Sequence, residues 1–424
     1  MSFNLKSKAD LYNELEQLNK IYQQKKSDSI TLDLSRGKPG YDQVDLSNEM
    51  LDVLNSDSDF STPEGFDCRN YGVLDGISSI KSLFADMLDV NPCNIFVGGN
   101  SSLNMMFDTV SHLVTHGISG CKPWFGQNVK FLCPVPGYDR HFSITEYFNI
   151  EMISVPMDDN GPDMDMVENL VENDELIKGI WCVPKYSNPS GITYSDEVVK
   201  RFANLKPKAK DFRIFWDNAY CLHDISDTPD TLLNIMTECE KTGNQDLPII
   251  FCSTSKITFP GSGIAAMAAS DNNINAFKNR YCYQTIGYDK LNQLRHIRFL
   301  KDIDTLKAHM KKHGRIIKPR FDVILDYFDR EFKDINDITW TSPKGGYFIA
   351  LKLPNGCAKR AVSLCSDAGL ILTPAGATHP YGVDPDDSTL RIAPTFSSVD
   401  DISKASDLLC LCVKIAVLEK ALDE

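Results

Sequence analysis

The chain of 424 residues has no apolar stretch approaching the roughly 20 residues that cross a bilayer, so a membrane-spanning helix is not expected. Its N-terminus, "MSFNLKSKADLYNELEQLNKIY", carries charges throughout and lacks an apolar core, which argues against a secretory signal. Positive charge is in short supply. Lys and Arg number 44 against 58 Asp and Glu, for a formal net charge of -14. That argues against non-specific binding to nucleic acid or anionic membranes, but not against a locally basic site for a small anion. There is no internal repeat and no low-complexity linker. Cysteine is not scarce, at 13, yet the pattern of a disulfide framework is missing. The cysteines stand singly inside apolar segments such as "IWCVP" and "KFLCPVP", as reduced thiols in a core do. A cytoplasmic protein is expected.

What is present is an alternation. "VKFLCP", "EMISVP", "IKGIWCVP", "DFRIFWD" and "LPIIFCS" predict strands, and "DMDMVENLVEN" and "SDEVVKRFANL" predict helices between them. Continuous apolar strands separated by helices predict a mostly parallel α/β sheet covered on both faces. From about residue 290 the pattern shifts to a long charged helix and then to short strands, "GGYFIALKLP", "LILTP" and "TLRIAP". These predict a smaller α+β domain. The expected division is residues 1–50 as a helix and arm packing with the small domain, 51–300 as the large domain and 301–424 as the small one.

Open α/β sheets bind ligands beyond the carboxyl ends of their strands. The polar segments there are "GGNSS" (98–102), "PGYDR" (136–140), "KYSNPSG" (185–191), "DNAY" (217–220) and "STSK" (253–256). Lys256 is the most telling. A lysine just past a buried strand is a surface charge unless its amine is needed, for example to condense with an aldehyde and shuttle protons. Asp217 either caps a turn or holds a pyridine nitrogen protonated. Tyr220 and the amide of Asn188 suit a phenolate-like ring oxygen, and Tyr138 suits stacking on a ring. Asn100, Ser101 and Ser102 make either an ordinary helix cap or a phosphate cradle.

Taken in order, these motifs resemble the fold-type I pyridoxal-phosphate enzymes, specifically the class I/II aminotransferases. Within them, "VGGNSSLNMM" and "STSKITFPGSG" look most like a bacterial aspartate aminotransferase subgroup. The resemblance implies a mostly parallel seven-stranded sheet in the large domain. It implies pyridoxal 5'-phosphate joined to Lys256 as an aldimine, and catalytic roles for Lys256, Asp217 and Tyr220. The cofactor would be held by Asn100, Ser101, Ser102, Tyr138, Asn188, Asp217, Tyr220, Ser253 and Ser255. Tyr71, in "NYGVLDG", would reach the phosphate of a neighbouring subunit, so a homodimer with shared sites is implied. Arg391, Gly37 of "RGKPG" and Asn188 would bind the substrate carboxylate. The expected reaction moves an amino group between an L-amino acid, aspartate foremost, and a 2-oxo acid, 2-oxoglutarate foremost, by a ping-pong course.

One departure stands out. Gly263 lies near the position where the family usually has a phosphate-binding arginine. Hydroxyls, Tyr71 or a basic residue from elsewhere must take over. A dicarboxylic substrate needs a second cation, and Arg36, Lys38, Arg140, Lys185, Arg295 and Arg298 are all open for that role.

Other signals have blander readings. His309 and His313 predict a solvated helix face and no metal site. "CLC" (410–412) predicts core packing. "GSGIAA" (261–266) mimics a dinucleotide fingerprint without its helix. Alanine or aromatic aminotransferases, and lyases, decarboxylases or cyclopropane-forming synthases on the same cofactor, are the rival enzymes. A regulator borrowing the fold is disfavoured, because "LSRGKPG" begins by residue 34 and leaves no room for an upstream helix-turn-helix domain.

Overall fold

The computed structural model describes residues 7–27, 31–118 and 120–423. The first six residues of the N-terminal helical pattern lie outside them. After β1 (Leu32–Asp33), eight strands form one sheet. They are β2 (Ile95–Val97), β3 (Lys130–Val135), β4 (Glu151–Asp158), β5 (Gly161–Pro162), β6 (Ile177–Cys182), β7 (Arg213–Asp217), β8 (Pro248–Ser253) and β9 (Ala265–Ala269), in the order β2-β9-β8-β7-β6-β3-β4-β5. The run β4-β3-β6-β7-β8 is parallel, and β9 lies antiparallel between β8 and β2. The sheet thus has eight strands rather than the expected seven. The extra one, β5, is two residues long and folds back on the end of β4. Its turn is made by Asp158, whose Oδ1 accepts from the N–H groups of Asn160 (2.7 Å) and Gly161 (3.2 Å). No apolar run announces so short a strand.

The central strands are buried throughout, and their side chains alternate between two apolar layers. Ile180, Ile214 and Ile250 face one layer with Val199 and Phe202, while Trp181, Phe215 and Phe251 face the other with Phe131 and Met106. Parallel neighbours need crossovers, and the helices Asp139–Tyr147, Met164–Asn173, Asp196–Ala203 and Ile235–Thr242 supply them. All crossovers return the chain so that β3, β6, β7 and β8 end on the same edge.

A second core gathers the helices Ile303–Phe332 and Val399–Asp423, and the antiparallel sheet β10 (Thr339–Trp340), β11 (Ile349–Lys352) and β13 (Thr389–Ile392). β1 pairs with β12 (Leu370–Ile371), and Tyr22 of the Lys8–Ser27 helix donates its hydroxyl to the Leu364 carbonyl at 2.9 Å. Cys410 and Cys412 are buried in this core, and none of the 13 cysteines forms a disulfide among the described residues. "GSGIAA" runs through a short Pro260–Ser262 turn into β9, not into a helix, which rules out the dinucleotide reading.

The solvated face expected for His309 and His313 is overturned: both are buried. They fall on the stripe Leu306, Met310, Ile317, Phe321 that turns into the core, while Lys311 and Lys312 between them take the exposed side. No group of His, Cys, Asp and Glu suited to a metal occurs among the described residues. No helix of the described chain is long and apolar enough to cross a membrane.

Candidate active site

A cavity of about 780 Å³ opens at the shared strand edge. Its wall includes Gly37, Ser101, Ser102, Tyr138, Asn188, Asp217, Tyr220, Ser253, Ser255, Lys256 and Arg391. Eleven of the thirteen residues expected at the site therefore meet in one place. Asn100 sits just outside the lining and enters through its backbone, accepting from the Ser255 hydroxyl at 3.1 Å. Tyr71 is 78% exposed and does not line this cavity.

Asp217 ends β7 and is almost fully buried. Its Oδ2 meets His141 Nε2 at 3.0 Å, and its Oδ1 has no hydrogen-bond partner. A buried carboxylate oxygen left unpaired is costly, and Asp217 is one of the residues that line the cavity. His141 is stacked on Trp181, with ring centroids 4.5 Å apart and planes 12° from parallel. The imidazole is thereby fixed against Asp217. Its role was not evident in the sequence. The signal was its position in "PGYDRH", three residues after Tyr138 and so on the same face of a helix start.

Lys256 follows β8 in a turn pinned by Thr254. The Thr254 N–H donates to the Ile264 carbonyl, its carbonyl accepts from Ile257 and Thr258, and its hydroxyl accepts from the Ile264 N–H. The Lys256 amine lies 5.0 Å from the Tyr220 ring centroid and 5.9 Å from that of Tyr347. It forms no ion pair among the described residues. Burial lowers its pKa below the ordinary lysine value, with the Asp217 charge opposing. Burial likewise pushes the Tyr220 phenol well up.

At the helix Ser102–His116, Ser101 is the N-cap, its Oγ accepting from the Leu103 N–H at 3.2 Å. The hydroxyls of Ser253 and Ser255 bond each other at 3.1 Å beside it. A Cβ built on Gly263 would sit 3.1 Å from both the Asn100 carbonyl and Ser255 Oγ, so this corner has closed over the space a larger residue would need. Across the cavity, Arg391 is buried. Its Nε donates to Thr373 Oγ1 (3.2 Å) and its Nη1 to Asp139 Oδ1 (2.8 Å), with Asn188 Oδ1 at 3.5 Å. Asp139 and Thr373 were not anticipated. Gly37 lies so close to the Phe348 ring that a Cβ there would fall 2.2 Å from it.

The family model for aspartate amino-transferase matches residues 6–424. The chain belongs to that family. The aspartate aminotransferase of Corynebacterium glutamicum is 41% identical over 406 residues, which cover 95% of this chain and 94% of that one. A solved aspartate transaminase structure from the same organism has a TM-score of 0.96 at 39% identity, covering 99% of both chains. More distantly, LysN, an alpha-aminoadipate aminotransferase of Thermus thermophilus, shares the fold with a TM-score of 0.74 at 18% identity, covering 91% of this chain and 92% of that one. The architecture is that of the fold-type I aminotransferases, and the family implies pyridoxal 5'-phosphate.

The residues present fit that group. The orphaned Asp217 oxygen suits a protonated ring nitrogen, the Ser101 helix start and the serine hydroxyls suit a phosphate, and the buried Lys256 amine suits an aldehyde carbon.

Proposed function

We propose that this aminotransferase prefers L-aspartate as amino donor and 2-oxoglutarate as acceptor, and works by two ping-pong half-reactions. One observation carries the reading. A lysine amine of lowered basicity shares a cavity wall with an unpaired buried carboxylate oxygen and a buried arginine. The 41% identity to a named aspartate aminotransferase supports the choice of aspartate.

Bound pyridoxal phosphate supplies a sink for the electron pair left when Cα loses its proton. The chain's residues do the rest. Lys256 would hold the cofactor at its aldehyde carbon, and its amine would take the substrate Cα proton at Nζ. Its lowered pKa enlarges the neutral fraction able to accept one. Asp217 Oδ1 would accept from the ring nitrogen and keep it charged. Tyr220 and Asn188 would offer a hydroxyl and an amide to the ring oxygen, and Tyr138 would cover the ring. Ser101, Ser102, Ser253 and Ser255, with Asn100 and the helix N-terminus, would hold the phosphate. Arg391 binds the substrate α-carboxylate with its planar fork, with Asn188 and Gly37 alongside.

The purified protein should absorb visible light and be bleached by aspartate. Borohydride should place a pyridoxyl group on Lys256. Lys256→Ala should lose at least about three decades of turnover. A variant that transaminates near the parent rate would remove Lys256 from this role.

A further inference from the structure

The ligands expected in the cavity bring negative charge, a carboxylate at Arg391 and a phosphate at the Ser102–His116 helix start. Yet two carboxylates of the chain, Asp139 and Asp217, are among the described residues that line it. Asp217 has a use at the cofactor's ring nitrogen. Asp139 has none so far. An acid beside an arginine that must bind a carboxylate works against the ligand, so its presence there needs a cause.

The geometry supplies one. Arg391 stands on β13 with 9% of its side chain exposed, and Asp139 opens the Asp139–Tyr147 helix with 34% exposed. Asp139 Oδ1 accepts from Arg391 Nη1 at 2.8 Å, and Thr373 Oγ1 accepts from Nε at 3.2 Å. Nη2 has no hydrogen bond among the described residues. A two-point grip on a carboxylate uses Nη2 together with either Nη1 or Nε. In the empty site each of these grips therefore has one nitrogen taken. Thr373 is buried and tied down, its hydroxyl donating to the Ser35 carbonyl at 3.0 Å. Asp139 is the partner able to leave, since its second oxygen has no hydrogen bond among the described residues and a third of its side chain already faces solvent. Its place in the first turn of a helix also favours its charge once it lets go. The contact serves the empty protein, because a buried guanidinium without a counter-charge is strongly disfavoured.

We propose that Asp139 is an internal stand-in for the substrate α-carboxylate, holding Arg391 Nη1 in the empty site and yielding it when substrate binds. This rests on the aminotransferase reading above and adds to it a residue that sets the strength and selectivity of carboxylate binding. One carboxylate replaces another, only hydrogen bonds change, and Arg391 is never left without a counter-charge. The substrate competes with a group already in place. Its apparent affinity is lowered by the fraction of molecules in which Asp139 holds the arginine. Because charge is exchanged for charge, removing Asp139 should favour only ligands that carry the α-carboxylate.

The test uses the holoenzyme with Asp139→Ala and with Asp139→Asn, which keeps the size and an acceptor oxygen but not the charge. The probe is α-methylaspartate, which has no Cα hydrogen to lose, titrated by the visible spectrum. It should bind Asp139→Ala at least about threefold more tightly than the parent, and Asp139→Asn more tightly as well. Aspartate α-amide, which lacks the α-carboxylate, should change by less than about twofold. Weaker or unchanged α-methylaspartate binding in both variants would overturn the proposal, since a residue that merely braces Arg391 loosens the site when it is lost. An equal gain for the amide would overturn it too, by showing that no charge is exchanged. A parent whose spectrum ignores both ligands and that transaminates no amino acid refutes the functional reading itself. A responsive parent with unimproved variants refutes the stand-in alone.

Discussion

At the scale of single residues, the site depends on how one carboxylate is shared. Asp217 gives Oδ2 to His141 and leaves Oδ1 for a ligand. His141 does not line the cavity, so it acts through Asp217 as a positioning residue. His141→Ala would leave the second oxygen of a nearly fully buried carboxylate unpaired, a penalty of about 1–3 kcal/mol. Expressed in kinetics, that is a loss on the order of 10–100-fold in kcat/KM. His141→Gln, which keeps a donor, should recover part of the loss. The spectrum gives a second readout, because the pH dependence of the visible absorbance should shift in the Ala variant and less in the Gln variant. Parent-like kinetics and an unmoved absorbance profile in His141→Ala would leave His141 a mere filler beside Trp181.

At the scale of an element, the Ile303–Phe332 helix carries the clearest liability. His313 Nε2 faces His309 Nε2 at 3.1 Å, and His313 Nδ1 faces Gln43 Nε2 at 3.2 Å. His309 Nε2 also meets the Ile257 carbonyl at 2.8 Å, one residue beyond Lys256. The two rings meet edge-on, with planes 68° apart and the nitrogens in hydrogen-bond contact, and apolar surroundings disfavour adding a proton to the pair. Burial first, and the His309 charge next, lower the His313 pKa from 6.5 to about 3. The sign follows directly. Below 6.5 the unfolded chain takes up a proton that the folded chain refuses, so stability is full above that pH and drains as pH falls toward 3. By pH 5 this amounts to about 2 kcal/mol for His313 alone. Urea midpoints should therefore drop between pH 7.5 and 5, and drop less in His313→Gln; equal slopes in the two proteins would refute it. The same helix marks the limit of what the sequence discloses. The strand-end residues 138, 188, 217, 220 and 253–256 were legible, because short apolar strands and their polar exits are local features. The burial of His309 and His313 was not, since two lysines between two histidines look solvated until a partner surface decides which face turns inward. Nor could the pairing of Asp139 with Arg391 be read, as 252 residues separate them. The two-residue β5 left no apolar pattern to find.

At the scale of the whole molecule, one expected site residue does not line its own chain's cavity. Tyr71 is 78% exposed, and so are Ile286 at 61% and Tyr283 at 90% on the 283–287 stretch. The segments are adjacent, since a Cβ on Gly287 would lie 2.6 Å from the Gly72 carbonyl. Exposed aromatic and branched side chains on adjoining segments are poorly suited to water and well suited to a partner. One of these segments carries the hydroxyl expected at a neighbour's phosphate. The corner closed around Gly263 makes that outside hydroxyl more needed, because the chain's own phosphate cradle is built from serines and a helix end. We propose that a homodimer completes each site with the other chain's tyrosine. Sedimentation should give about twice the 47.5 kDa chain mass. Tyr71→Asp should shift the protein toward the monomer and weaken cofactor retention. Tyr71→Phe should keep the dimer, yet release the cofactor several-fold faster on dialysis, because only the hydroxyl is gone. A monomer of full activity at micromolar concentration would break the link between the exposed patch and the site. Unchanged cofactor retention in Tyr71→Phe would break the link between the hydroxyl and the phosphate.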